Sequence, residues 1–431
     1  MKTLLLSLFL AVSGPWSLSD CIRYALEHNI SVQQSANAVQ QKEIELNTAR
    51  SRRLPGVSAS VSQNFSFGRG LTQDNTYSNA NTTSTSFSLG ADMPLFQGFD
   101  IKYDIAMSKL DLEASISDLE KARDDVSIAV AAAYMQILYD KEILQVARSQ
   151  VSLDSLLLVR VNGMRASGKS SAADVAAQEA TYAKSRLTEV QSENNLKLAL
   201  LDLSQLLELP SPEGFDVIAP GVEALGIRLL DKPEDIYECA LGIKPQIKAE
   251  LLRLDYADAN ISRAKGAYLP SLSLSGGLGT NFYTNSMSDS ESFSDQIGNN
   301  FSQYVGISLG IPIFSRFSTR NSVKAALLYK ENRQLELENT KKSLFKEIQQ
   351  AYYNAEGTAA KYRSGELAVE SARASLSLEQ QKYENGKATV TEWNQAETRW
   401  LEAESQFLQA RYEYLYQTRI LDFYMGRELA F

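Results

Sequence analysis

Residues 57–67 read Val57, Ser58, Ala59, Ser60, Val61, Ser62, Gln63, Asn64, Phe65, Ser66 and Phe67; Gln63 apart, the odd positions are apolar and the even ones polar. Successive side chains of an extended chain point to opposite faces, so this alternation predicts a strand with one oily face and one wet face. After a polar run from Gly68 to Thr82 the pattern resumes, with Phe87, Leu89, Ala91, Met93 and Leu95 set against Ser86, Ser88, Gly90 and Asp92. Two such runs around a polar loop predict a long hairpin over 57–96.

The hairpin recurs over 271–314. Leu272, Leu274, Leu278 and Phe282 alternate with serine, glycine and asparagine, and after the polar run Thr284 to Asn300 come Val305, Ile307, Leu309, Ile311 and Ile313. Strands of about ten residues with one apolar face and almost no charge suit a transmembrane β-barrel. Two half-exposed hairpins of a soluble sheet are the alternative that periodicity alone leaves open. Four strands do not close a barrel, and an open edge inside lipid leaves backbone groups unsatisfied. Three chains would supply twelve strands around a lumen too wide for serine and glycine to fill, which predicts a trimeric pore.

The chain has 431 residues with 43 basic and 52 acidic side chains, a net charge of −9 that gives no sign of a nucleic-acid partner. Met1 and Lys2, the apolar run Leu4 to Val12 and the small residues Ser13 and Gly14 read as a secretory signal over 1–14, too short to span a membrane. Leu18, Ser19, Asp20 and Cys21 imitate a lipid-attachment box, but the acid before the cysteine departs from it, and Cys21 is expected as a small buried helix residue. A disulfide to Cys239 stays open as an alternative in an oxidising compartment. Two cysteines and the single His28 leave little material for a metal site, and no metal or cofactor is expected.

An internal repeat organises everything else. Ala49 to Leu54 with Pro55 matches Ala264 to Leu269 with Pro270, Pro94-Leu95-Phe96 matches Pro312-Ile313-Phe314, and Gly168-Lys169 matches Gly386-Lys387. The first repeat, 15–209, reads as a helix, the hairpin 57–96, a long helix 99–161, a turn and a helix 171–209; the second, 236–431, reads as a helix, the hairpin 271–314, a long helix, a turn near 386 and a helix. Between them, 210–235 is rich in proline and glycine and reads as a linker or small side structure. The prolines at 55, 94, 270 and 312 mark the strand-helix junctions, because proline cannot donate to a ladder.

The helices carry a heptad spacing. Ile116, Val130, Ile137, Leu144, Val151 and Leu158 form one line, interrupted by Arg123, with Leu112, Leu119, Val126 and Ala133 beside it. Trp393, Trp400, Phe407, Tyr414 and Leu421 form another, with Ala396, Ala403 and Ala410 between them, and such an aromatic stripe reads as packing. A helix over 99–161 would reach about 95 Å at about 1.5 Å per residue, beyond any globular helix.

Taken together, the opening motif Trp16-Ser17-Leu18 with Ala25-Leu26-Glu27, the paired Leu-Pro junctions, the paired Gly-Lys turns and the duplication resemble the TolC family of outer-membrane efflux proteins over nearly the whole mature chain. The resemblance implies a mainly α fold with transmembrane β, internally duplicated, with four strands per chain in a shared trimeric 12-stranded barrel that continues into a long coiled-coil periplasmic tunnel. It implies a homotrimer in the Gram-negative outer membrane, in contact with lipid and with a large periplasmic part. It also implies a passive exit duct of a tripartite efflux or type I secretion system, fed by a periplasmic adaptor protein and an inner-membrane transporter.

The turns Gly163 to Asp174 and Asn385 to Glu392 would lie at the tunnel entrance, with glycines at 163, 168 and 386 reversing the chain. By motif position Asp174 and Glu392 match the family's entrance acids, and Tyr383 matches a tyrosine that helps hold the entrance closed. Gly168, Lys169, Gly386 and Lys387 are the candidate adaptor contacts. Two positions depart from the pattern: Ala388 stands where the best-known member has an arginine and Gln395 where it has a second acid, leaving Lys387 as the nearby cation in sequence. Asp174 and Glu392 read equally as solvated acids favoured by a helix N-terminus.

No phosphate loop, nucleophile elbow or histidine dyad is present in the sequence, so no catalytic residues are assigned. The rival from another class is a trimeric outer-membrane-anchored coiled-coil structural protein or adhesin. Such an anchor needs no matched pair of hairpins joined to helices at both ends, whereas a duct does.

Overall fold

The structure is a computed structural model describing residues 14–71, 75–79, 81–219, 227–287 and 290–429. The signal segment read over 1–14 therefore lies almost wholly outside the described residues, as does part of 210–235. In chain order the elements are α1 (Leu18–His28), α2 (Ile30–Ser51), β1 (Gly56–Ser66), β2 (Arg69–Leu71), β3 (Tyr77–Asn79), β4 (Thr82–Gln97), α3 (Asp100–Ala166) and α4 (Ala172–Leu206). There follow α5 (Pro233–Ile243), α6 (Pro245–Gly266), β5 (Ser271–Asn285), α7 (Phe293–Asn299), β6 (Ser302–Gly310), α8 (Ser318–Glu384) and α9 (Val390–Tyr424).

Helix lengths repeat residue for residue. α1 and α5 each have 11 residues, α2 and α6 each 22, α3 and α8 each 67, and α4 and α9 each 35. At about 1.5 Å per residue the two long helices are each about 100 Å. By its contacts the chain divides into two compact units, each drawing on both repeats: one takes Ala38–Ser115 and Ala249–Leu337, the other Met1–Asn37, Ile116–Lys248 and Glu338–Phe431.

The first unit holds an antiparallel four-stranded sheet in the order β1-β4-β5-β6. Its register carries the alternation across all four strands. Ala59 pairs with Leu89 and Leu89 with Leu278, while Met93 pairs with Leu274 and Leu274 with Ile307, so one face is mostly apolar, with Gln303, Thr280, Thr85 and Gln63 among its polar positions. On the other face Ser58 pairs with Gly90, Gly90 with Gly277, and Ser273 with Ser308. A one-residue slip would invert both faces, which is why a strict period of two specifies the register. Val57 and Val61 are 67% exposed and Val305 82%, so among the described residues much of the apolar face is uncovered, α7 reaching only its far end, where the Phe293 ring meets Phe87 and Phe282.

The polar runs at the tips hold more structure than their composition suggests. β2 and β3 form a small ribbon inside Gly68 to Thr82, and α7 occupies 293–299 inside the second run, capped by the Ser292 side chain, which accepts from Asp295 N at 3.3 Å. The alternation read to Ile313 also outlasts its strand, since β6 ends at Gly310 and Ile313 is 96% exposed. Pro312, without an N–H, cannot prolong the ladder. Pro94 does sit within β4, at a register shift between Pro94 and Phe96.

Where β4 gives way to α3, a close approach and an ion cluster set the corner. Gly98 has φ +57, and a Cβ there would lie 2.2 Å from the carbonyl oxygen of Gly266, so only glycine fits. Asp100, in the first turn of α3, accepts from Arg263 Nε at 2.7 Å and from Arg52 at 2.8 Å, while Arg52 also reaches Asp104 at 2.6 Å. Burial works against the Asp100 charge, yet the hydrogen bonds from Arg263 and Arg52 outweigh it and hold the carboxyl below its usual value.

The second unit is a helical core. Val130, Ile137, Leu203, Ile236, Leu344 and Ile348 are almost fully buried, joined by Cys21, which is free and buried rather than bonded to the exposed Cys239. The heptad line buries unevenly: Val130 and Ile137 are inaccessible, whereas Ile116 is 43% exposed. Of the central segment, Val217 is buried and pairs with Trp16, and Tyr134 donates its hydroxyl hydrogen to the carbonyl oxygen of Ile218 at 2.5 Å. Among the described residues no helix is long and apolar enough to cross a membrane.

The register makes a direct test available. Leu309 is 60% exposed on the apolar face and Ser308 lies on the other. Leu309→Arg should cost about 2–4 kcal/mol in a bilayer and Ser308→Arg far less. Heat-modifiability of each variant refolded into lipid measures this, and the reverse order would mean the faces are assigned backwards.

Candidate entrance site

The two chain reversals after the long helices are built alike. α3 ends where Gly168, at φ +74, donates its N–H to Arg165 O at 2.9 Å and Lys169 donates to Met164 O at 2.8 Å. α8 ends the same way, with Gly386 at φ +71 donating to Tyr383 O at 3.0 Å and Lys387 to Lys382 O at 2.8 Å. This pair of bonds around a left-handed residue satisfies the last carbonyls of each helix. Gly163, read from sequence as part of the reversal, instead lies inside α3, because a lone glycine in a long helix costs too little to end it.

The next helices open on matched capping boxes. Asp174 N donates to Ser171 Oγ at 3.1 Å while the Asp174 carboxylate accepts from Ser171 N at 2.8 Å; Glu392 N donates to Thr389 Oγ1 at 3.2 Å while its carboxylate accepts from Thr389 N at 2.7 Å. Each acid thus satisfies a backbone donor that the helix start leaves free. The backbone and side-chain hydrogen bonds of Ser171 and Thr389 hold the two carboxyls below their ordinary values. A depressed folded-state value means stability present at neutral pH and lost as pH falls through that value.

Tyr383 is buried in a small cluster with Leu157, Val161, Val175, Val390 and Trp393. Its ring lies 5.1 Å from that of Trp393 between centroids, and its hydroxyl points at the Met164 sulfur, 3.8 Å away. Ala388 packs half-buried on the same cluster as apolar filling. The cation comes from elsewhere. Arg160 of α3 lies 5.8 Å from the Tyr383 ring centroid and pairs with Glu384 at 3.2 Å. Burial pushes the Tyr383 phenol up, with Arg160 opposing and Asp174 adding to the rise. Lys387 is exposed and has no ion-pair partner among the described residues; Lys169 and Gln395 are exposed as well.

Arg160 was not singled out from sequence. It lies off the heptad lines, between Val159 and Val161, where a lone charge reads as surface, and only the return of α8 shows what it faces.

Two matched hairpins with a largely exposed apolar face, joined to duplicated 67-residue helices, define an outer-membrane channel protein of duplicated build. The chain belongs to the outer membrane efflux protein family, whose profile matches residues 21–208 and again 236–427, one match per repeat. It is 25% identical over 418 residues to outer membrane protein TolC of Escherichia coli, covering 95% of this chain and 82% of that protein. It is 22% identical over 405 residues to the proteases secretion protein PrtF of Dickeya chrysanthemi, covering 90% of this chain and 84% of PrtF. The outer membrane protein VceC of Vibrio cholerae superposes with a TM-score of 0.77 over 96% of each chain at 17% identity, a likeness of fold. Fold class and location are thus those expected: a mainly α, internally duplicated outer-membrane protein with a four-stranded sheet in each chain.

Two substitutions separate the roles of the cluster. Tyr383→Phe keeps the ring against Trp393 and should leave thermal stability nearly unchanged, whereas Tyr383→Ala should cost on the order of 3 kcal/mol; equal losses would place the weight on the hydroxyl. Gly168→Ala and Gly386→Ala should each cost about 1 kcal/mol through left-handed strain alone, because nothing lies within 4 Å of either added Cβ. As pH falls below about 4, amide exchange at the first turns of α4 and α9 should accelerate before that of the helix centres.

Proposed function

We propose that three copies of this chain form a passive exit duct that receives substrates from a periplasmic adaptor and an inner-membrane transporter and releases them outside. The observation that carries this reading is the open sheet. Its outer strands β1 and β6 each pair on one side only among the described residues, and its apolar face is exposed. In lipid those edges need strands from neighbouring copies. The tips, with β2, β3 and α7, would face the exterior. Energy would come from the partners, and the names of PrtF as a proteases secretion protein and OpmQ as a pyoverdine export protein of Pseudomonas putida support a duct whose cargo is chosen elsewhere.

On this reading the turns at Gly168-Lys169 and Gly386-Lys387 meet the adaptor, and Asp174 and Glu392 stand at the narrow end together with Tyr383 and Gln395. Copies of both acids around one axis would favour cations. Because each carboxylate also caps its own helix, Asp174→Asn with Glu392→Gln keeps the shape while removing the charge. Purified protein should run as a trimer in mild detergent and conduct in a planar bilayer, and the double variant should lose cation preference with assembly intact. Unchanged selectivity would leave the two acids as caps alone; a monodisperse monomer that conducts would overturn the shared barrel.

A further inference from the structure

A buried polar cluster of the helical unit lies apart from the turns, where α3, α4 and α9 meet. Asp154 is fully buried, and its two oxygens accept from Gln150 Nε2 at 3.2 Å and Gln178 Nε2 at 3.4 Å. Glu397 is 1% exposed, and its Oε1 has no hydrogen-bond partner; neither does Oε1 of Gln150. Gln150, Asp154 and Glu397 line one cavity of about 200 Å³ whose walls include Ile143, Val146 and Leu401. Two carboxylates and two orphaned acceptor oxygens against apolar walls are costly to bury without a positive charge between them.

We propose that this cavity binds a small organic cation, a primary ammonium with a short apolar tail, its head between Glu397 Oε1 and Gln150 Oε1 and its tail along Ile143, Val146 and Leu401. The donor count favours an ammonium over a metal. An ammonium has three N–H groups, and the cavity offers the two orphaned oxygens together with the hydroxyl oxygen of Ser185. A hard divalent ion needs about six oxygens, and among the described residues no group of three or more acidic, histidine or cysteine side chains is placed to hold a metal.

The charged groups facing Glu397 come from each neighbouring helix. α3 supplies Asp154, and α4 supplies Lys184 at the cavity wall, exposed and without an ion pair among the described residues. Further along, Arg148 of α3 pairs with Glu189 of α4 at 3.9 Å, and Arg373 of α8 approaches Glu404 of α9 at 4.0 Å. Burial pushes the Glu397 carboxyl up to about 7, the hydrogen bond from Gln150 opposing and Asp154 adding to the rise. Below that value a proton occupies the carboxylate; above it the site is free for the ammonium, so binding strengthens from pH 6 to 8 while an alkylamine, protonated up to about pH 10, stays charged.

Calorimetric titration of the full chain in detergent with n-butylamine tests this, with 1-butanol as the neutral isostere and magnesium chloride as the inorganic cation. Saturable butylamine binding that exceeds butanol binding, strengthens from pH 6 to 8 and falls about tenfold or more in Glu397→Gln is the expected result. Equal binding of amine and alcohol, no pH dependence, or a magnesium heat of matching strength that Glu397→Gln abolishes would overturn it. The wild-type pH series decides the matter even where Glu397→Gln fails to assemble. Lys184→Ala, which removes the one cation on the cavity wall among the described residues, should retain or tighten binding.

Discussion

A strand edge cannot be left open in hydrocarbon. That constraint acts here on a sheet of only four strands. The apolar face formed by Ala59, Leu89, Leu278 and their neighbours is left largely exposed among the described residues, and β1 and β6 have nothing to pair with there on their outer sides. Lipid satisfies the face; only more strands satisfy the edges. On the proposed reading, assembly is a condition of the membrane-spanning part rather than a later addition to a stable monomer.

Duplication meets that condition with little sequence. Each repeat supplies two strands and two helices longer than any globular core requires, and the matched lengths of 67 and 35 residues keep both halves in step. The strand-helix corner must be tight for a wall to pass from strand to helix without a bulky loop. In the first repeat Gly98 supplies the backbone freedom and Asp100 gathers Arg52 and Arg263 around the first turn of α3. The second repeat makes the corresponding turn with Arg316 and Phe317 at positive φ, a strained choice for residues with side chains.

At the candidate entrance, one pair of acids carries two demands. Asp174 and Glu392 close capping boxes, which fixes their carboxylates against their own backbones, and whatever field they present to a passing ion comes from that fixed position. The packing behind them differs from what the family pattern suggests. Ala388 packs with the apolar cluster of Tyr383 and Trp393, and a guanidinium reaches the Tyr383 ring from α3 through Arg160.

The sequence by itself determined the strands, their faces, the repeat, the heptad lines and the two Gly-Lys reversals, because each depends on spacing along the chain: two residues for a strand, seven for a helical seam, one glycine for a left-handed cap. It also offered Asp174 and Glu392 as helix-start acids, since an acid in a first turn is favoured by the helix N-terminus; that Ser171 and Thr389 complete capping boxes with them came from the structure. Tertiary structure alone decided which seam positions are buried, as with Ile116 against Val130, and that α7 folds inside a run that reads as loop. It alone brought Arg160 to Tyr383, and Asp154 and Glu397 into one cavity, because those partners are more than two hundred residues apart and a buried charge looks like any other charge until the helix that covers it returns.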